Sequence, residues 1–66
     1  MRVTVNGGDR ELPDGLGLVA LLEQLGLRPG TVVVERNGEA LVRSELDGVV
    51  LADGDRLELV RAVAGG

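Results

Sequence analysis

Leu18-Val19-Ala20-Leu21-Leu22-Glu23-Gln24-Leu25-Gly26-Leu27-Arg28-Pro29 is the stretch that decides the fold of this chain. Leu18, Leu21, Leu22 and Leu25 recur at i, i+3, i+4 and i+7, which gathers four leucines on one stripe of a helix. Ala20, Glu23 and Gln24 fall on the other side. Gly17 takes the N-cap position, Gly26 suits a left-handed C′ residue, and Pro29 stops the helix from continuing. A short amphipathic helix has one apolar stripe to bury and needs another layer to bury it against.

The flanking sequence supplies that layer as strands. Before the helix, Met1, Val3 and Val5 alternate with polar residues, the period of a half-buried strand. Asn6-Gly7-Gly8-Asp9 reads as a hairpin turn, with Arg10 to Pro13 as a short return strand whose Leu12 points inward. After the helix, Thr31 to Arg36 is β-branched and strand-like. Asn37-Gly38 is a strong hairpin signal, and Glu39 to Val42 is the partner strand. Ser44 to Gly48 reads as a turn or one loop of 3₁₀ helix, Val49 to Leu51 as a short apolar piece, and Asp53-Gly54-Asp55 as a tight turn. From Arg56 to Val63 alternation returns, with Leu57 and Leu59 on one face and Glu58, Val60 and Ala62 on the other. The expected architecture is α+β: a mixed four- to five-stranded sheet with one helix packed across one face. Its first and last strands lie parallel at the centre, because the helix and second hairpin supply the long crossover. The expected core is Met1, Val3, Val5, Leu12, Leu18, Leu21, Leu22, Leu25, Val32, Val34, Leu51, Leu57 and Leu59.

Sixty-six residues form a single domain, read here as residues 1–66 with a flexible C-terminal Gly-Gly tail. Composition excludes most chemistry. Cysteine, histidine and lysine are absent, and the only side-chain hydroxyls belong to Thr4, Thr31 and Ser44. There is no thiolate, no imidazole base or ligand, and no side-chain amine. The chain is therefore read as a non-enzyme with no metal site and no bound cofactor. A net charge of −4 and the lack of any aromatic residue argue against nucleic acid, which needs basic grooves and stacking platforms. The longest apolar run, Leu18 to Leu22, is far short of the roughly 20 residues of a membrane span. The N-terminal stretch has no secretory-signal pattern, so a cytoplasmic location is expected.

The sequence closes on Ala64-Gly65-Gly66. Glycine lacks Cβ, so backbone can enter a slot too narrow for any side chain. Extended, Ala62 to Gly66 reaches roughly 17 Å. The carboxylate of Gly66 can be threaded into another protein while the domain stays outside. Val63, Ala64 and Gly65 would line the path, and every catalytic group would sit on the partner. Glu58, Val60 and Ala62, with Val33 on the same side and Arg61 near the tail, form the candidate docking face.

The strand–helix order, Asn37-Gly38-Glu39, Arg43-Ser44-Glu45, Asp53-Gly54-Asp55-Arg56 and Val60-Arg61-Ala62-Val63-Ala64-Gly65-Gly66 together resemble the sulfur carriers of thiamine biosynthesis, the ThiS family. The resemblance covers essentially the whole chain and implies a β-grasp (ubiquitin-like) fold. It implies that Gly66 is adenylated by an E1-like adenylyltransferase that uses ATP, then converted to a thiocarboxylate by a sulfur donor system. The carrier would next dock on thiazole synthase, where the sulfur enters the thiazole ring. Three positions depart from the family pattern: Val42 stands for a common Pro, Leu46 for an aromatic and Gly17 for a Thr cap. The small subunit of molybdopterin synthase and carriers for tRNA thiolation share fold and tail; the former are usually longer, with prolines and aromatics ahead of the tail. From another class come a ubiquitin-like interaction module without chemistry and a modifier attached through Gly66. Asp53 and Asp55 read as a solvated turn rather than a cation site.

Overall fold

Two Asn-Gly pairs build the hairpins. In a computed structural model that describes residues 1–62, Asn6 and Gly7 have φ of 49° and 84°, and Asn37 and Gly38 have 53° and 87°. Both central residues of each turn are left-handed, the geometry whose twist matches that of paired strands. The first turn joins β1 (Arg2–Val5) to β2 (Gly8–Glu11), and the second joins β3 (Val32–Arg36) to β4 (Glu39–Leu41). β2 starts two residues earlier than the sequence suggests, because the turn uses only Asn6 and Gly7. Leu12 follows the strand; its N–H donates to the Met1 carbonyl at 2.8 Å, and it is half-buried against the core.

The last strand, β5 (Arg56–Arg61), lies in the middle of a five-stranded sheet of order β2-β1-β5-β3-β4. It runs parallel to β1, with Thr4 opposite Arg56 and Val5 opposite Leu57. It runs antiparallel to β3 along the whole length of β3, from Val32 opposite Arg61 to Arg36 opposite Leu57. This is the expected mixed sheet, resolved to five strands in the β-grasp arrangement.

Helix α1 (Leu18–Gln24) crosses one face. It ends as its glycine dictates: Gly26 has φ 74°, its N–H donates to the Glu23 carbonyl, and the Leu27 N–H reaches back to the Leu22 carbonyl at 2.8 Å. That pair of bonds is a Schellman ending. Leu18, Leu21 and Leu22 are wholly buried, with Val32, Val34, Leu51, Leu57 and Leu59 in the same cluster. Val3 is buried as expected, whereas Met1, Val5 and Leu25 are only half-buried.

The core has one member that periodicity missed. Leu46, alone among polar neighbours, is 2% exposed. A 3₁₀ turn over Arg43–Gly48 swings it inward, and the Glu45 side chain accepts the Val42 N–H at 2.8 Å to hold that turn's start. The following segment is tied to the helix's entry: the Leu18 N–H donates to Val49, and the Leu51 N–H donates to Leu16.

Leu22→Ala is expected to cost about 2–5 kcal/mol of stability, since it removes a fully enclosed side chain. Chemical denaturation measures it as a fall in midpoint with an unchanged slope.

Candidate functional site

Residues Val63, Ala64, Gly65 and Gly66 lie outside the described residues, so the site is built from the strand that leads to them. The start of β5 is held by a buried acid. Asp55 is 5% exposed. Its carboxylate accepts hydrogen bonds from the Ala52 N–H at 2.8 Å, the Asn37 amide at 3.0 Å and Arg36 Nε at 3.0 Å, and it forms an ion pair with Arg36 Nη2. Arg36 also donates to the Val50 carbonyl. Burial by itself raises the Asp55 pKa, but the Ala52, Asn37 and Arg36 hydrogen bonds and the Arg36 charge outweigh it, leaving the group below its ordinary value. The solvated turn expected from Asp53-Gly54-Asp55 is thus half right. Asp53 is exposed and accepts the Arg2 N–H at 2.7 Å, while Asp55 is a structural anchor.

Both turn asparagines also grip β5. Asn37 accepts the Arg56 N–H on its side-chain oxygen at 2.9 Å, and its own N–H donates to the Arg56 carbonyl. Asn6 accepts the Leu59 N–H at 2.7 Å and donates its side-chain amide to the Leu59 carbonyl at 3.1 Å. The strand that leads to the tail is therefore fixed at its base and at its middle.

Alternation along β5 gives it two faces. Leu57 and Leu59 point to the helix. Glu58 and Val60 point away, and the exposed Ala62 follows them in parity. On β3 the outward residues are Val33, directly opposite Val60, and Glu35, directly opposite Glu58. Val33 and Val60 are 47% and 60% exposed, an apolar pair on a face that is otherwise polar. Glu35 and Glu58 form a second cross-strand pair of like charge, and neither has an ion-pair partner among the described residues. The sheet thus brings Val33, Glu58, Val60 and Ala62 together and adds Glu35, which sequence reading omitted. It separates Arg61, which shares the parity of Leu57 and Leu59 and so falls on the helix side of the sheet. Glu35 was recoverable from alternation once Val33 had been placed outward. The partnership of Asp55 with Arg36 and Asn37 spans 18 or more residues and has no local signature.

The described residues gather no three potential metal ligands, and no helix among them is long and apolar enough to cross a membrane. What the site offers is a strand held by Asp55, Asn37 and Asn6, beside an acidic and apolar sheet face.

Residues 3–66 match the ThiS family, and the chain belongs to that family. It is 38% identical over its full length to a thiazole synthase from Paramagnetospirillum magneticum and 36% identical to one from Magnetococcus marinus. In both cases the chain spans about a fifth (20%) of the relative's own length. The crystal structure of a thiamine biosynthesis protein (ThiS) from Geobacter metallireducens matches the fold with a TM-score of 0.84 at 35% identity, covering all of both chains. The solution structure of a thiamine biosynthesis protein from the same organism matches with 0.79 at 35% identity, over all of this chain and 88% of that one.

Two outcomes follow from these contacts. Because the Asp55 pKa lies below its unfolded value, its stabilisation is complete above about pH 4 and is lost as pH falls through the depressed folded value. Asp55→Asn should lower stability at pH 7 by about 1–3 kcal/mol, and pH-dependent melts should show a shallower acid loss than in the unsubstituted protein. Glu58→Gln relieves the like-charge pair and should raise stability by about 0.2–1 kcal/mol, read as a higher denaturation midpoint at low salt.

Proposed function

We propose that this domain is a sulfur carrier of thiamine biosynthesis and that its working group is the carboxylate of Gly66. An E1-like adenylyltransferase joins that carboxylate to the α-phosphorus of ATP and releases pyrophosphate. A sulfur nucleophile from a donor system then attacks the acyl carbon. The nucleophile is the outer sulfur of a persulfide, so the departure of AMP leaves an acyl disulfide. A thiol of the donor system then takes up the donor sulfur as a disulfide and releases the thiocarboxylate. The thiocarboxylate delivers its sulfur to a thiazole synthase. The domain contributes a recognisable body and a narrow tail, while ATP is bound by the activating partner.

The observation that carries this reading is the match of the whole chain to a fifth of two proteins named thiazole synthase. A carrier-like segment joined to a synthase in one polypeptide has a high effective concentration at its target, which is useful only if the two act on each other. The ThiS family match extends through Gly66. The absence of Cys, His and Lys from the sequence leaves no side chain suited to carry the sulfur itself. The outward face with Val33, Val60, Glu35 and Glu58 suits a partner surface that pairs apolar contacts with basic groups.

Deletion of Gly66 should leave thermal melting unchanged and abolish ATP–pyrophosphate exchange with the cognate activating enzyme, because the carboxylate is withdrawn by ~3.4 Å. Gly65→Val should do the same by adding a branched side chain to a slot that admits backbone only. Normal exchange by the Gly66 deletion would sink the carrier reading.

A further inference from the structure

The hydrogen-bonding edge of β5 that faces β1 is left open at Arg61. Along β5, Ala62 donates to Thr31, and the Arg56 carbonyl accepts from Asn37, so the even-numbered residues turn their backbone groups toward β3. The odd-numbered residues turn theirs toward β1. There the ladder proceeds by Thr4 N–H to Asp55 carbonyl and Asn6 N–H to Leu57 carbonyl, both 2.9 Å. At Asn6 the chain turns away into β2. The Asn6 side chain then takes both backbone groups of Leu59, standing in for the rung that a longer β1 would supply. Arg61 is next in this series, still within β5, and among the described residues no group pairs with its N–H or carbonyl on that side.

We infer that this open edge receives an extended backbone segment of the protein that takes up the tail, which pairs with Arg61 as an added strand. The inference rests on the reading of residues 63–66 as the transferred tail. Asn6 acts as the positioning residue that ends the internal ladder one rung short. A strand edge with unpaired groups is a template for another strand. Arg61 is the last residue of β5, and no proline occurs from Leu57 to Gly66 to remove a backbone donor. A segment seated at Arg61 is two residues from the start of the tail in sequence, which fits the protein that receives the tail better than a second copy of this chain. The Val33–Val60 pair lies on the adjoining outer face, so one partner can cover both.

The test is amide hydrogen exchange of the whole carrier, alone and bound to its cognate adenylyltransferase, read by NMR after quenching. In the free carrier the Arg61 N–H should exchange rapidly while that of Ala62, bonded to Thr31, is protected. In the complex Arg61 should become protected. Arg61→Pro removes this donor with its N–H facing away from β3, and Arg61→Ala controls for the side chain. Arg61→Pro should weaken binding by about two- to tenfold, the value of one backbone hydrogen bond, and Arg61→Ala by less. Unchanged Arg61 exchange in a complex that still forms adenylate would overturn the inference and leave the carrier function standing. Concentration-dependent protection in the carrier alone would also overturn it, by assigning the edge to a second copy. Failure of the unsubstituted chain to be adenylated would remove both.

Discussion

Asp55 accepts hydrogen bonds from Ala52, Asn37 and Arg36 at a buried position where the second hairpin, the approach to β5 and the segment after the 3₁₀ turn meet. Arg36 belongs to β3, Asn37 to the turn, and Ala52 to the loop that returns the chain to the sheet centre. One carboxylate therefore ties the second hairpin to the loop that precedes β5. A buried charge is costly when unpaired, and here the surrounding donors satisfy it. These hydrogen bonds are directional, whereas the contacts among the leucines and valines of the core are not.

β5 is fixed at its base by Asp55 and Asn37 and at its middle by Asn6, in addition to the strands on either side of it. It is also the strand that leads to Gly66. If Gly66 is the transferred group, a strand held in one arrangement up to Arg61 lowers the orientational freedom lost on docking. The Glu35–Glu58 pair shows the opposite bias. Like charges facing each other on neighbouring strands are destabilising.

The sequence carries the fold wherever periodicity and turn chemistry act locally. The leucine stripe, the Gly26 stop, the Asn-Gly turns and the parallel pairing of first and last strands were all legible. Leu46 was not, because a single apolar residue in a polar 3₁₀ turn has no period to display. Asp55 was not, because an Asp-Gly-Asp sequence looks the same whether its second acid is solvated or captured by Arg36, 19 residues away. Of the candidate docking residues, alternation placed Val33, Glu58, Val60 and Ala62 together. It also separates Arg61, which was grouped with them for its nearness to the tail although its parity assigns it to the other face.

If the carboxylate of Gly66 bears the sulfur, intact-mass spectrometry of the protein isolated from its own cells will reveal it. The account predicts a species heavier by the difference between sulfur and oxygen, located by fragmentation to Gly66, that loses the increment when a thiazole synthase turns over. A protein found only with an unmodified carboxylate, both from cells and after incubation with ATP, its activating enzyme and a sulfur donor, would contradict it.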